Sequence, residues 1–154
     1  MRPIGAPVSG EHDDRPPAAH HWGWAWVALC AALAIHVADE ALTNFLAVYN
    51  PTVLALRGRF PFLPLPTFRF AGWLSGLTLG VGVLLALSPF AFRAARWMVP
   101  VSYLFGGLML ANGLGHLVGS IYLGRLMPGA YSAPLLLAAS LFLIVRIARR
   151  PARL

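Results

Sequence analysis

Four long apolar stretches, separated by short segments that contain proline, glycine and arginine, dominate the pattern along this chain. They cover about residues 24–48, 70–87, 97–123 and 131–145. An α-helix rises about 1.5 Å per residue, so about 20 apolar residues cross a bilayer core about 30 Å thick. The pattern predicts an all-α, polytopic membrane protein folded as a bundle of four transmembrane helices.

Prolines and polar segments set the expected boundaries of this membrane domain, which we place at residues 22–146. The residue before a proline avoids helical geometry, so Asn50-Pro51 is predicted to end the first span and to begin a surface loop up to Arg69. Residues 1–21 are rich in proline, glycine and charge and are predicted to be a disordered tail. Residues 147–154 form a basic tail.

The second stretch carries a stripe of small residues. Gly72, Gly76 and Gly80 recur at every fourth position and therefore share one face of a helix. Such a stripe lets another helix approach closely, and we expect it to pack in that way.

The charges favour a membrane location and predict an orientation. Hydrophobic residues make up 58% of the chain, charged residues only 11%, and the net charge is +7. All 12 basic residues are arginines that flank the apolar stretches, so membrane lipids rather than nucleic acid are the expected partners. Eight of them lie in the two tails and the turn between the second and third spans, which predicts cytoplasmic termini and a cell inner membrane location.

Polar side chains interrupt the first apolar stretch at membrane depth. His36, Asp39, Glu40 and Asn44 fall within about 140° of a helical wheel, and therefore face one shared space. An ionised side chain at the bilayer centre costs on the order of 3 kcal/mol, so such residues usually face other helices and have partners.

The third stretch contributes a second polar set at a similar height. Asn112 and His116 lie 15 and 19 residues after Trp97, whereas the ionisable residues of the first span lie 12 to 16 residues after Trp24. Both spans are predicted to run outward from the cytoplasm, so the two sets overlap in the outward half of the bilayer. One shared site is the simplest interpretation.

Two imidazoles and two carboxylates form a nitrogen and oxygen donor set that suits zinc, iron or manganese. A bound divalent cation would also let both carboxylates remain ionised inside the membrane. The predicted metal ligands are His36, Asp39, Glu40 and His116, with Asn44 and Asn112 in supporting positions. Glu40, with Asp39 as the other candidate, would act catalytically by taking a proton from a metal-bound water.

Three functions are compatible with this cluster. The first is a metal-dependent hydrolase or oxidoreductase that acts on a lipid or another hydrophobic substrate. The second is a proton-coupled small transporter in which the same groups carry protons. The third is a non-catalytic membrane scaffold in which the cluster only fixes the register of the helices.

The motifs also resemble those of the HXXEE domain family of small multi-span membrane proteins. The resemblance rests on His36-Val37-Ala38-Asp39-Glu40, on His116 and on Leu126-Met127-Pro128-Gly129. Asp39 stands where the family has its first Glu, which keeps the carboxylate but shortens its reach, and Leu126 stands where it has a Tyr. The resemblance implies a His and carboxylate site in a membrane domain, and no assigned reaction.

Overall fold

A computed structural model describes residues 17–149, and the elements within that range are all helices. They are α1 (Pro17–Leu42), α2 (Leu46–Arg59), α3 (Phe70–Ala86), α4 (Ser88–Phe92), α5 (Met98–Leu123) and α6 (Ala133–Ala148). Most of the two predicted tails lies outside the described residues. The part of the first tail that is described, from Pro17 onward, is the beginning of α1 and not an irregular segment.

Within residues 17–149, three helices are long and apolar enough to cross a membrane. They comprise His20–Leu42, Phe70–Phe92 and Met98–Leu123, where the second includes α3 and α4. The fourth apolar helix, Ala133–Ala148, has 16 residues and is shorter than the others. The helices therefore fit an integral membrane protein, with three candidate spans where the sequence predicts four.

Helix α1 lies at the centre of the molecule, in contact with α3, α4 and α6, and α5 packs along α6. The amino-terminal half of α1 forms the apolar core with residues of α5 and α6, among them Trp22, Trp26, Leu29, Phe105 and Leu143. The indole N–H of Trp26 donates to the carbonyl oxygen of Leu84 at 2.9 Å, which links α1 to α3. This core fixes the positions of the helices that carry the polar cluster.

The first span ends earlier than the sequence predicts. α1 ends at Leu42, and a turn at residues 43–45 precedes α2. Asn44 has φ +60°, a left-handed conformation that Asn tolerates better than most residues, and it breaks the helix there. Pro51 consequently lies inside α2 instead of ending the first span.

The segment predicted as a loop after Pro51 is therefore only partly irregular. It continues α2 to Arg59, and only residues 60–69 lack helical structure. The side chain of Asn50 pairs with the backbone of Phe68, donating to its carbonyl oxygen at 2.9 Å and accepting from its N–H at 3.1 Å. This pairing returns the chain from α2 to the start of α3.

The glycine stripe of α3 faces no other part of the described chain. A Cβ atom added at Gly72, Gly76 or Gly80 would meet nothing within 4 Å. The close packing predicted for this stripe therefore does not occur among residues 17–149.

Candidate metal site

Three side chains from two helices meet in the interior, near the carboxyl ends of α1 and α5. His36 and Glu40 lie one turn apart on α1 and therefore share a face of that helix. His116 projects from α5, and its Nε2 lies 3.0 Å from Glu40 Oε1, while Nε2 of His36 lies 3.6 Å from the same oxygen. His36 is fully buried, and Glu40 and His116 are each 5% exposed, so the cluster is closed to solvent.

The spacing of these three groups is close enough that they could hold one metal ion. One potential ligand atom from each residue lies within 4.8 Å of the other two. Ligands held at about 2.0–2.2 Å from one ion in tetrahedral geometry are about 3.3–3.5 Å apart. This spacing falls between the two distances from Glu40 Oε1 to the imidazole nitrogens, 3.0 and 3.6 Å. His36 and His116 could thus hold an ion together with the carboxylate of Glu40.

Two buried nitrogen atoms of the cluster lack hydrogen-bond partners among residues 17–149. They are Nε2 of His36 and Nδ1 of His116. The two rings also approach edge to face, with centroids 4.7 Å apart, and Phe45 covers His116 with ring centroids 5.7 Å apart. Unsatisfied polar atoms are costly in such surroundings, and their presence here points to a missing partner.

Asp39 points to a different partner from Glu40, although the two are adjacent in sequence. Its Oδ2 accepts the backbone N–H of Ser132 at 2.9 Å and the hydroxyl of the same residue at 2.7 Å. The Ser132 Oγ also lies 2.8 Å from Nδ1 of His36. The structure thus brings His36, Glu40 and His116 together and places the carboxylate of Asp39 on the turn before α6.

That turn forms one wall of the cluster through Gly129, which has φ +84°. A Cβ atom at this position would lie 2.8 Å from Cε1 of His116 and 3.0 Å from Cγ of Glu40. The turn is tied to α5 by Ser120, whose hydroxyl oxygen accepts the N–H of Met127 at 2.9 Å. Both the backbone conformation and the lack of space favour glycine at position 129.

The two asparagines predicted to support the site do not bond to it. Asn44 is exposed in the turn after α1, and Asn112 is half-buried on α5, one turn before His116. Neither side chain forms a hydrogen bond with the three clustered residues. Asn44 instead lines an open cavity of about 300 Å³, together with Thr43, Ala47, Val48, Leu123, Arg125, Leu126, Met127 and Pro128.

Sequence reasoning did not identify Ser132, the residue that connects Asp39 to His36. Its signal was present, because a serine before Ala133-Pro134 is typical of a helix start. A start signal predicts a bond to the residue's own helix, however, and here the hydroxyl bonds to α1 instead.

Comparison of the chain with protein-family models, curated proteins and solved structures finds no match.

Proposed function

We propose that this chain is an integral membrane protein that binds a divalent transition-metal ion through His36, Glu40 and His116. The observation that carries the proposal is the buried group of three, in which Nε2 of His36 has no hydrogen-bond partner among residues 17–149. A metal ion would accept a lone pair from that nitrogen and one from His116, and it would balance the carboxylate of Glu40.

The donor set also limits which ions fit. Two imidazole nitrogens and one carboxylate oxygen suit zinc, iron(II) or manganese(II), and three protein ligands leave a coordination position open for water or a ligand. A hydrophobic molecule that enters from the lipid is the substrate class that the surroundings favour. Chemistry on such a molecule, hydrolytic or oxidative, is the finer form of the proposal.

The two carboxylates take separate parts in this proposal. Glu40 faces both imidazoles and would coordinate the ion, while Asp39 is occupied by two hydrogen bonds from Ser132. In a hydrolytic reaction the ion would supply Lewis acidity, and Glu40, the carboxylate that faces both imidazoles, would be the residue that takes a proton from water.

The membrane topology belongs to the same proposal. We place both termini in the cytoplasm of a cell whose inner membrane holds the protein, with α6 as a short fourth crossing. The arginine distribution supports this orientation, and it puts the metal site in the outward half of the bilayer. Membership of the HXXEE family remains a prediction from the motifs.

Metal analysis of protein purified in detergent tests the proposal. We expect the wild-type protein to bind one zinc, iron or manganese ion per chain, and His36→Ala to weaken binding by at least about 100-fold. Loss of a direct ligand should cost at least as much as the 10–100-fold typical of the groups that support a ligand.

The matched control is His21→Ala, because His21 is an exposed histidine on the same helix. This variant should keep the wild-type affinity. Folded wild-type protein that binds none of the three metals, or equal affinities for the wild type and His36→Ala, would contradict the proposal. Either result would favour a scaffold in which the cluster only fixes helix register.

A further inference from the structure

Three polar groups form a continuous chain beside the proposed metal site. Asp39 Oδ2 accepts the Ser132 hydroxyl at 2.7 Å, and that hydroxyl oxygen lies 2.8 Å from Nδ1 of His36. His36 is fully buried and Ser132 is 7% exposed, so water does not readily replace these contacts. The three residues come from α1 and from the turn before α6, which are distant in sequence.

The proton count in this chain determines which nitrogen of His36 carries hydrogen. A serine hydroxyl has one proton to donate, and an ionised carboxylate can only accept. The Ser132 proton therefore goes to Asp39 Oδ2, the nearest acceptor, ahead of the Gly129 carbonyl oxygen at 3.3 Å. Nδ1 of His36 must then donate its own proton to Ser132 Oγ, which leaves the lone pair of a neutral ring on Nε2.

We infer that Ser132, oriented by Asp39, is a positioning residue that holds His36 in the Nδ1–H form with Nε2 turned toward Glu40. This inference rests on the proposed metal site, because it explains how one of its ligands is prepared to bind. Histidine ligands in proteins commonly donate their other ring N–H to a neighbouring group, which fixes both the ring orientation and the tautomer. Asp39 thereby acts on the site through Ser132 and not as a ligand.

A purely structural role for Ser132 predicts different results. Ser132 lies at the start of α6, so the bonds of its N–H and of its hydroxyl to Asp39 could serve only to join α6 to α1. A variant that lacks the hydroxyl would then lose stability without a change in the tautomer of His36. The experiment must therefore observe the ring itself.

The first measurement is the ¹⁵N NMR spectrum of the histidine rings in metal-free protein held in detergent micelles. We expect His36 to be protonated at Nδ1 in the wild type, and the two tautomers to be mixed in Ser132→Ala. Ser132→Thr restores the hydroxyl and should restore the wild-type spectrum. Ser140→Ala is the matched control, since Ser140 is a buried serine of α6 that donates only to the Leu136 carbonyl oxygen of its own helix.

The second measurement is zinc affinity, determined by competition with a chelator. Ser132→Ala should lower it by about 10–100-fold, as is typical of groups that support a metal ligand, and Ser132→Thr should recover most of it. Unchanged tautomer and affinity in Ser132→Ala would overturn the inference, as would a folded Ser132→Thr that behaves like Ser132→Ala. If wild-type protein binds no zinc, iron or manganese, the metal proposal fails, while the metal-free spectra still decide whether Ser132 sets the tautomer.

Discussion

The two halves of α1 are held in the protein by different forces. In the amino-terminal half Trp22, Trp26 and Leu29 are fully buried in the apolar core. In the carboxyl-terminal half the buried side chains include His36 and Glu40, and their contacts are with polar groups of α5 and the turn before α6. One helix thus combines a packed apolar half and a polar half.

The difference shows which half specifies the arrangement of the helices. Lipid tails are as apolar as a leucine side chain, so an apolar helix face in a membrane gains little from burial itself and depends on close packing. A buried carboxylate or imidazole must meet a partner at a particular point, because the alternative in hydrocarbon is an unsatisfied group. We therefore expect changes in the apolar half to affect stability, and changes in the polar half to affect ion binding.

The largest effect on stability should come from Trp26→Ala. The substitution leaves a cavity, removes the bond to the Leu84 carbonyl oxygen and removes a ring contact with Phe105 at 5.1 Å between centroids. We expect the free energy of unfolding, measured by denaturant titration in detergent, to fall by about 3–5 kcal/mol. The folded fraction should still bind metal with an affinity within about twofold of wild type.

The control for this prediction is Trp24→Ala, because Trp24 is on the same helix and 62% exposed. It should cost less than about 1 kcal/mol. If Trp26→Ala abolished metal binding by the folded protein, the two halves of α1 would not be separable.

Gly129→Ala should have a smaller effect on stability and a specific effect on the site. A left-handed conformation costs a residue with a side chain about 1–2 kcal/mol, and the new methyl group would press on His116 and Glu40. We expect the free energy of unfolding to fall by about 1–2 kcal/mol. Zinc affinity should also fall approximately tenfold, which corresponds to about 1.4 kcal/mol of binding free energy.

Gly124→Ala separates the two causes. Gly124 also has a left-handed backbone, with φ +62°, but an added Cβ would meet nothing within 4 Å. It should lose a similar amount of stability and keep its zinc affinity. Equal zinc affinities for the two alanine variants would mean that the turn does not constrain the ion-binding residues.

The sequence could predict which groups meet, because that depends on regular helix geometry. Residue counts along the first and third spans put His36, Glu40 and His116 at similar heights, and the structure brings those three together. The separate partners of the two carboxylates could not be predicted in the same way: Glu40 faces the imidazoles, whereas Asp39 bonds to Ser132. Adjacent residues on a helix differ by about 100° in direction, and which carboxylate faces the two imidazoles depends on what occupies the other direction.

The contacts that could not be predicted from the sequence depend on the conformation of turns. Ser132 meets Asp39 across 93 residues of sequence, and only the conformation of the turn before α6 brings them together. The end of α1 was missed for a related reason. Pro51 is a strong helix-ending signal in sequence, but the break occurs earlier, at Asn44, where a left-handed residue gives a weaker signal.

The smallest effect should come from Gly76→Ala on α3, a helix that lies outside both halves of the comparison. An added Cβ there meets nothing within 4 Å among residues 17–149, so the substitution should leave only the higher helix propensity of alanine, a gain in the free energy of unfolding of at most about 1 kcal/mol. Gly113→Ala is the matched contrast, since its Cβ would lie 2.9 Å from Cγ of Leu137 and 3.2 Å from the Ala133 carbonyl oxygen. Crowding between α5 and α6 should cost about 1–3 kcal/mol.

Measured side by side in detergent, these two glycines show whether the α3 stripe is covered. No loss at Gly76 and a clear loss at Gly113 would mean that packing against α6 restricts only the glycine on α5. Losses of equal size would mean that a helix from outside residues 17–149, or from another molecule, packs on Gly76. The α3 stripe would then be a second place, besides the polar half of α1, where a close contact fixes how helices pack.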